Sequence, residues 1–230
     1  MIDDWFSAIE LPLTWKQFWQ LPQNPAYKYE YSDGHALLSP RPKSGRALLD
    51  LQAFTRPFAD AARDEEVVVR PLQEADWTEL PELFAAAFHR VQPFASLTED
   101  TRLKAAENCL GETRAGAEGP LVGEACLVAV CDDELAGASL VTLPPRFAIS
   151  NAVGLPHLTW IFVGPFLARR GIGTALLDAA VAALLRLGYA SLASTFLIGN
   201  ESSMLWHWQA GFKLPEQPWS LRAIRRDAGA

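Results

Sequence analysis

The sequence predicts an α/β protein built on a mixed sheet, and three observations carry that expectation. First, Leu158-Thr159-Trp160-Ile161-Phe162-Val163 reads as a buried strand, Ile172 to Leu187 as an apolar helix and Ala190 to Leu197 as a second strand. A strand, helix and strand in that order form a βαβ unit, whose two strands run parallel with a right-handed crossover. Second, Cys126–Cys131 and Ala136–Leu143 are strand-like runs joined by Asp132-Asp133-Glu134-Leu135, a spacing that suits an antiparallel neighbour pair. Third, two helical patterns precede them. One is capped by Asp76 and runs to about Arg90; the other is capped by Ser96 or Thr98 and runs to about Leu110.

Taken in chain order, residues 1–66 differ from the rest and are rich in proline and aromatics. Thr14 suits the cap of a short helix from Trp15 to Leu21. Tyr27-Lys28-Tyr29-Glu30-Tyr31 alternates as a strand, Ser32-Asp33-Gly34-His35 is a hairpin signal, and Ala36-Leu37-Leu38 returns as its partner. Gly45 to Arg63 is helix-compatible, interrupted by Pro57. A segment of this size cannot bury a core alone, so it is expected to pack on the larger domain over residues 67–230. Val67 to Pro71 opens that domain as a strand, Gly111 to Gly123 reads as a loop, and Pro144 to Pro156 as a long loop. After the βαβ unit come a helix from about Ser202 to Ala210 and strands near Phe212–Leu214 and Ser220–Ile224.

Composition bounds the partners. Half of the 230 residues are apolar, enough for a substantial core. The net charge of −7 argues against nucleic acid as a partner, because phosphate binding needs a basic surface. Three cysteines (Cys109, Cys126, Cys131) lack metal spacing and leave an odd one, which points to reduced thiols and a cytoplasmic setting. The start Met1-Ile2-Asp3-Asp4 is acidic rather than basic, unlike a signal peptide. The longest apolar helix carries Asp178 and Arg186 and is short for a membrane span, so no membrane partner is expected. No His, Cys, Asp or Glu cluster has metal-ligand spacing, so no metal is expected.

Chemistry concentrates in Arg169-Arg170-Gly171-Ile172-Gly173-Thr174, between the buried strand and the apolar helix. Two glycines at a strand-to-helix turn let backbone N–H groups approach a ligand, the helix N-terminus adds partial positive charge, and the arginines add full charge. Downstream, Asn200, Ser203 and His207 are spaced i, i+3, i+7 and share one helix face, before Gly211-Phe212 ends that helix. This pair of motifs resembles the GNAT N-acetyltransferase superfamily, over about residues 67–226. The resemblance implies a central mixed sheet with helices on both faces, and transfer of an acetyl group from acetyl-CoA to a primary amine by direct attack in a ternary complex. The acceptor, a small molecule or a protein, is not chosen by the sequence, and a homodimer is left open.

The resemblance also assigns roles. The turn formed by Arg169, Arg170, Gly171, Ile172, Gly173 and Thr174 is expected to hold the cofactor pyrophosphate. Ala168 stands where relatives carry Gln or Arg. Backbone groups of Ile161 and Val163 are expected to pair with the pantetheine amides, and the Val163 N–H to hold the oxyanion. Asn200 and Ser203 are expected to line the pantetheine arm. His207 stands where many relatives carry a tyrosine that protonates the leaving thiolate. Flanked by Trp206 and Trp208, it suits a packed, hydrogen-bonded histidine equally well. The strand offers no carboxylate as general base, which leaves His157 or Glu124. Two rival readings stay open: an acyl-CoA-binding module without catalysis, and a regulatory interaction protein on the same scaffold.

Overall fold

A computed structural model describes residues 9–21, 27–40, 44–55, 67–91, 93–143, 155–197 and 201–214. Nine strands form two sheets among these residues. In the smaller sheet, β1 (Ile9–Pro12), β3 (His35–Pro40) and β2 (Tyr27–Ser32) lie in that order, all antiparallel. The hairpin turn is at Asp33 and Gly34, both left-handed with φ of 50° and 84°. α1 (Trp15–Gln20) starts at Thr14 with a reciprocal capping box to Gln17. Alternation puts Ile9, Leu11, Tyr27, Ala36 and Leu38 on one buried face. That face packs against Ala105, Ala106, Cys109 and Leu110 of α3 (Glu99–Ala115).

The larger sheet has the order β4-β9-β8-β7-β6-β5. Its strands are β4 (Ser44–Asp50), β5 (Val67–Pro71), β6 (Leu127–Cys131), β7 (Glu134–Thr142), β8 (His157–Val163) and β9 (Ser191–Leu197). Only β8 and β9 pair in parallel. Between them runs α4 (Ile172–Arg186), so the expected βαβ unit is present. α2 (Leu80–Ala87) and α3 cover one face of this sheet, packing on Val128, Ala138, Leu140 and Phe162. α4 covers the other face, with Leu176 and Ala180 against Leu127, Ala129 and Cys131, and Leu177 and Val181 against Val141, Leu158 and Leu192. α5 (Glu201–Gln209) joins α4 there through Ala210 and Phe212.

Four expectations are corrected. Residues 44–50 are a strand rather than the start of a helix: β4 pairs antiparallel with β9 from Ser44↔Leu197 to Asp50↔Ser191. Its alternate residues Ala47 and Leu49, and Leu51 beyond it, are fully buried. On its other side Leu48 exchanges two backbone hydrogen bonds with Lys213, which places the residues after α5 in the same sheet. Asp76 caps no α-helix. It sits within a 3-10 turn (Glu74–Thr78) and accepts two 2.7 Å hydrogen bonds from the Arg70 guanidinium and one from the Gln73 N–H. α3 is capped by Thr98, one of the two caps expected, but it does not end near Leu110: it runs past Gly111 to a left-handed Gly116. β1 is an element that the sequence reading did not contain. The strand expected at Ser220–Ile224 and the stretch around Pro57 lie outside the described residues.

Gly137 on β7 fixes how closely α4 approaches the sheet. A Cβ there would lie 2.8 Å from the carbonyl oxygen of Phe162, 3.2 Å from Leu176 Cδ1 and 3.3 Å from Ile172 Cγ2. Only glycine lets the first turns of α4 settle this deep.

Candidate active site

The site begins with a defect in β8. The register against β7 steps between Leu140↔Trp160 and Val141↔Leu158, which leaves Thr159 as an extra, bulged residue. A bulge bends its strand and increases local twist. On the other side of β8, pairing with β9 consists of His157↔Ala193 and Leu158↔Ser194 alone. Beyond that point β8 and β9 part, while β9 stays bonded along its far side to β4. The result is a fork in the middle of the sheet.

Backbone alternation says what lines this fork. The Gly164 N–H donates to the Ala136 carbonyl on β7. Successive strand residues turn their N–H and C=O groups to opposite sides. Val163 and Ile161 therefore present their backbone groups away from β7, on the side from which β9 has departed. At the head of the fork, β8 leads through Pro165–Leu167 into the glycine turn. Arg169 and Gly171 are left-handed, with φ of 66° and 79°, and Gly171 is the N-cap of α4 without any side-chain cap. The first α4 hydrogen bond found is from Ala175 N–H to Gly171 C=O. The amides of Ile172, Gly173 and Thr174 stand ahead of it, as the donors of a helix N-terminus do. Gly171 has no heavy atom within 4 Å of where a Cβ would stand. The turn is open, rich in donors and flanked by the exposed arginines 169 and 170. Its donor set fits an anionic phosphate group, and Ala168 ends the preceding turn in extended conformation.

The two candidate histidines differ in their surroundings. His207 is buried against Phe196, Trp206 and Phe212. Its Nδ1–H donates to the Ser203 carbonyl at 2.6 Å, and its Nε2 accepts from the Ser194 hydroxyl at 2.7 Å. A carbonyl can only accept, so the Nδ1–H tautomer is fixed. Burial pushes its pKa below the ordinary histidine value, against a smaller opposing effect of the Ser203 hydrogen bond. As placed, His207 is a neutral core histidine with both nitrogens engaged. His157 is also buried, at the apex of the fork. Its Nε2 lies 2.9 Å from the Thr195 hydroxyl across on β9, and its Nδ1 lies 3.3 Å from that of Thr159. Thr159 continues the chain to the Thr142 hydroxyl at 2.9 Å. Hydroxyls both donate and accept, so these two partners are compatible with either tautomer of the ring.

Other candidates fall away from this centre. Asn200 lies outside the described residues. Ser203 is on the His207 turn of α5. Glu124 is in a 3-10 turn before β6, His89 contacts the Ala86 carbonyl after α2 and His35 the Asp33 carbonyl in the hairpin. The three cysteines are buried thiols, none joined in a disulfide. Burial pushes the Cys109 thiol up to about 12 and the Cys126 thiol up to about 11, so neither is a nucleophile near neutral pH. On the face of the sheet opposite α4, Trp160 joins Phe84, Phe88, Phe94 and Phe162 in an aromatic wall, and its indole N–H donates to Thr113 at 2.9 Å. Among the described residues, no helix is long and apolar enough to cross a membrane, and no three His, Cys, Asp or Glu side chains are gathered for a metal ion.

Comparison with known proteins bears on the family and the fold. The acetyltransferase (GNAT) family model matches residues 75–212. No curated protein matches the sequence. Among solved structures, a GCN5-related N-acetyltransferase from Sphaerobacter thermophilus is similar at TM-score 0.52 and 18% identity, over 75% of this chain and 48% of that one. The chain thus spans about half the length of that relative. An integron cassette protein from V. cholerae is similar at TM-score 0.51 and 15% identity, over 67% of this chain and 91% of that one. A transcriptional regulator from Bacillus halodurans C-125 is similar at TM-score 0.50 and 17% identity, over 67% and 98% respectively. At these identities the likeness is one of fold.

Proposed function

The chain belongs to the acetyltransferase (GNAT) family, and from that premise we propose that it transfers an acetyl group from acetyl-CoA to a primary amine, by direct attack in a ternary complex. The observation that carries this reading is the joining of two features on one strand. β8 loses its partner β9 after Leu158, and the same strand then runs into an open glycine turn at the head of α4. An extended chain ending in a diphosphate matches both in order: amides along the strand, anion at the turn.

In this reading the amides of Gly171 to Thr174, with Arg169 and Arg170, hold the pyrophosphate. Backbone groups of Ile161 and Val163 pair with the pantetheine as an added strand would. Ser203 is assigned to holding the His207 ring through its carbonyl rather than to the pantetheine arm. When bound, acetyl-CoA supplies an acetyl group activated as a thioester. The Val163 N–H is assigned to the oxygen that gains charge during attack. His157 is assigned as general base, because its ring faces adaptable hydroxyls at the apex of the fork. His207 is assigned to the fold rather than to the thiolate, since its Nδ1–H is committed to the Ser203 carbonyl and its ring is packed among Phe196, Trp206 and Phe212. The acceptor approaches from the Trp160 face, opposite α4. The net negative charge favours a cationic amine there through electrostatic attraction.

The test is calorimetric titration with acetyl-CoA at two salt concentrations, followed by thiol release with a panel of amines. Salt-sensitive binding together with amine-dependent thiol release supports the reading. Binding without release from any amine would instead favour a non-catalytic acyl-CoA-binding protein. His157→Gln is expected to lower kcat and leave acetyl-CoA affinity unchanged; an unchanged kcat removes His157 from the base role.

A further inference from the structure

Trp206 stands at the head of the fork and has no role in the assignments above. A Cβ placed on Gly173 would lie 3.6 Å from the Trp206 Nε1 and 3.8 Å from Val163 Cγ2. Three elements therefore meet at one spot: the first turn of α4, the end of β8 and the middle of α5. These are ordinary contact distances, so the indole nitrogen lies close against the first turn of α4. The indole is held edge-on against His207 with ring centroids 5.1 Å apart, and it lies 6.1 Å from Phe212, so its direction is set by buried neighbours. An indole nitrogen is a donor only, and tryptophan N–H groups that are partly buried ordinarily find an acceptor. Trp206 is half-buried, and among the described residues none accepts a hydrogen bond from its Nε1. By contrast the Trp160 indole, on the other face of the sheet, donates to Thr113.

We infer that the Trp206 indole N–H is a further cofactor-binding donor, which takes an oxygen at the pyrophosphate end of the pantetheine arm, beside the first turn of α4. This rests on the acyl-CoA reading proposed above. The indole adds a neutral, directional donor to a turn whose other donors are backbone amides and charged arginines.

The experiment follows the eight tryptophan side-chain N–H signals of nitrogen-15-labelled protein by NMR. Trp206→Phe identifies the signal by its loss, and Trp206→Tyr serves if the first variant does not fold. CoA is expected to move the Trp206 N–H signal downfield. The Phe variant is expected to bind CoA roughly ten- to a hundredfold more weakly, the loss of one hydrogen bond to a charged acceptor. Its affinity for adenosine 3′,5′-bisphosphate, which lacks the arm, is expected to stay the same; an equal loss for both ligands would mean a merely structural residue and overturn the proposal. If the wild type binds CoA while the Trp206 signal does not move downfield and the variant binds within about twofold, the proposal is wrong and the acyl-CoA reading stands. If the wild type binds no CoA, both are wrong.

Discussion

Replacing Gly137 by alanine tests whether the depth of α4 against the sheet sets the anion site. The added Cβ would lie 2.8 Å from a backbone oxygen on β8 and within 3.3 Å of two α4 side chains. Its backbone needs no left-handed conformation, so the cost is steric alone. Phe162 cannot retreat without breaking the β7–β8 ladder, where Ala138 pairs with Phe162 and Gly137 with Val163. Relief must come from α4, through Ile172 and Leu176. Overpacking of this kind costs about 1–3 kcal/mol. For a chain of this length each kcal/mol lowers Tm by roughly 2–4 °C, so a fall of roughly 5 °C is expected. Ile172 is the first residue of α4, and lifting it moves the glycine turn with it. Acetyl-CoA affinity should therefore fall alongside Tm. The control is Gly111→Ala on α3, where a Cβ meets nothing within 4 Å and helix propensity predicts a gain of about 0.5–1 kcal/mol. Thermal unfolding and calorimetry read both effects. Unchanged Tm and unchanged affinity in Gly137→Ala would refute the claim that this glycine seats the helix.

Further predictions concern named contacts. Asp76→Asn should cost about 2 kcal/mol by removing the charged acceptor of Arg70. Hydrogen bonding to Arg70 holds the Asp76 carboxyl below its ordinary range. The stabilisation is therefore present above the unfolded carboxyl value and fades as pH falls through the lowered folded one, so denaturant melts of wild type and variant should converge in acid. For His207 the direction is the same but the cause is burial, which keeps it neutral in the fold while the unfolded chain takes up a proton below about pH 6.5. Wild-type stability should drop as pH falls below that value, and His207→Phe should lack this drop; parallel pH profiles would contradict the buried assignment. Deleting residues 1–51 removes β4 with its buried Ala47 and Leu49, and an insoluble or unfolded remainder is expected. A folded remainder with intact CoA affinity would show β4 to be dispensable.

What the sequence made legible follows from how local each feature is. The glycine turn could be read because Gly171 supplies a left-handed residue at a helix cap, and no distant contact is needed to recognise that. The βαβ unit could be read because its strands and helix are long and apolar. β4 was missed because Arg46-Ala47-Leu48-Leu49-Asp50-Leu51 suits a helix as well as a strand, and only β9 decides between them. The fork was invisible because the Thr159 bulge arises from register with β7 and leaves no compositional mark. The shared face of Ser203 and His207 was evident from spacing, but spacing does not say which way a helix is rolled. The Ser194 hydroxyl shows that the His207 side turns inward.

The place of β4 has a consequence for how the chain acquires its shape. β9 is gripped by a strand from early in the sequence, and that strand is bonded in turn to Lys213 near the other end. These are pairings across most of the chain, and closing so long a loop must precede any reward from the contact. The mouth of the fork therefore forms late, after the local hairpins and the βαβ unit. During that interval one edge of β9 is uncovered, and an uncovered strand edge is a template for another chain. Slow refolding and concentration-dependent losses on dilution from denaturant are the expected signs of that order of events.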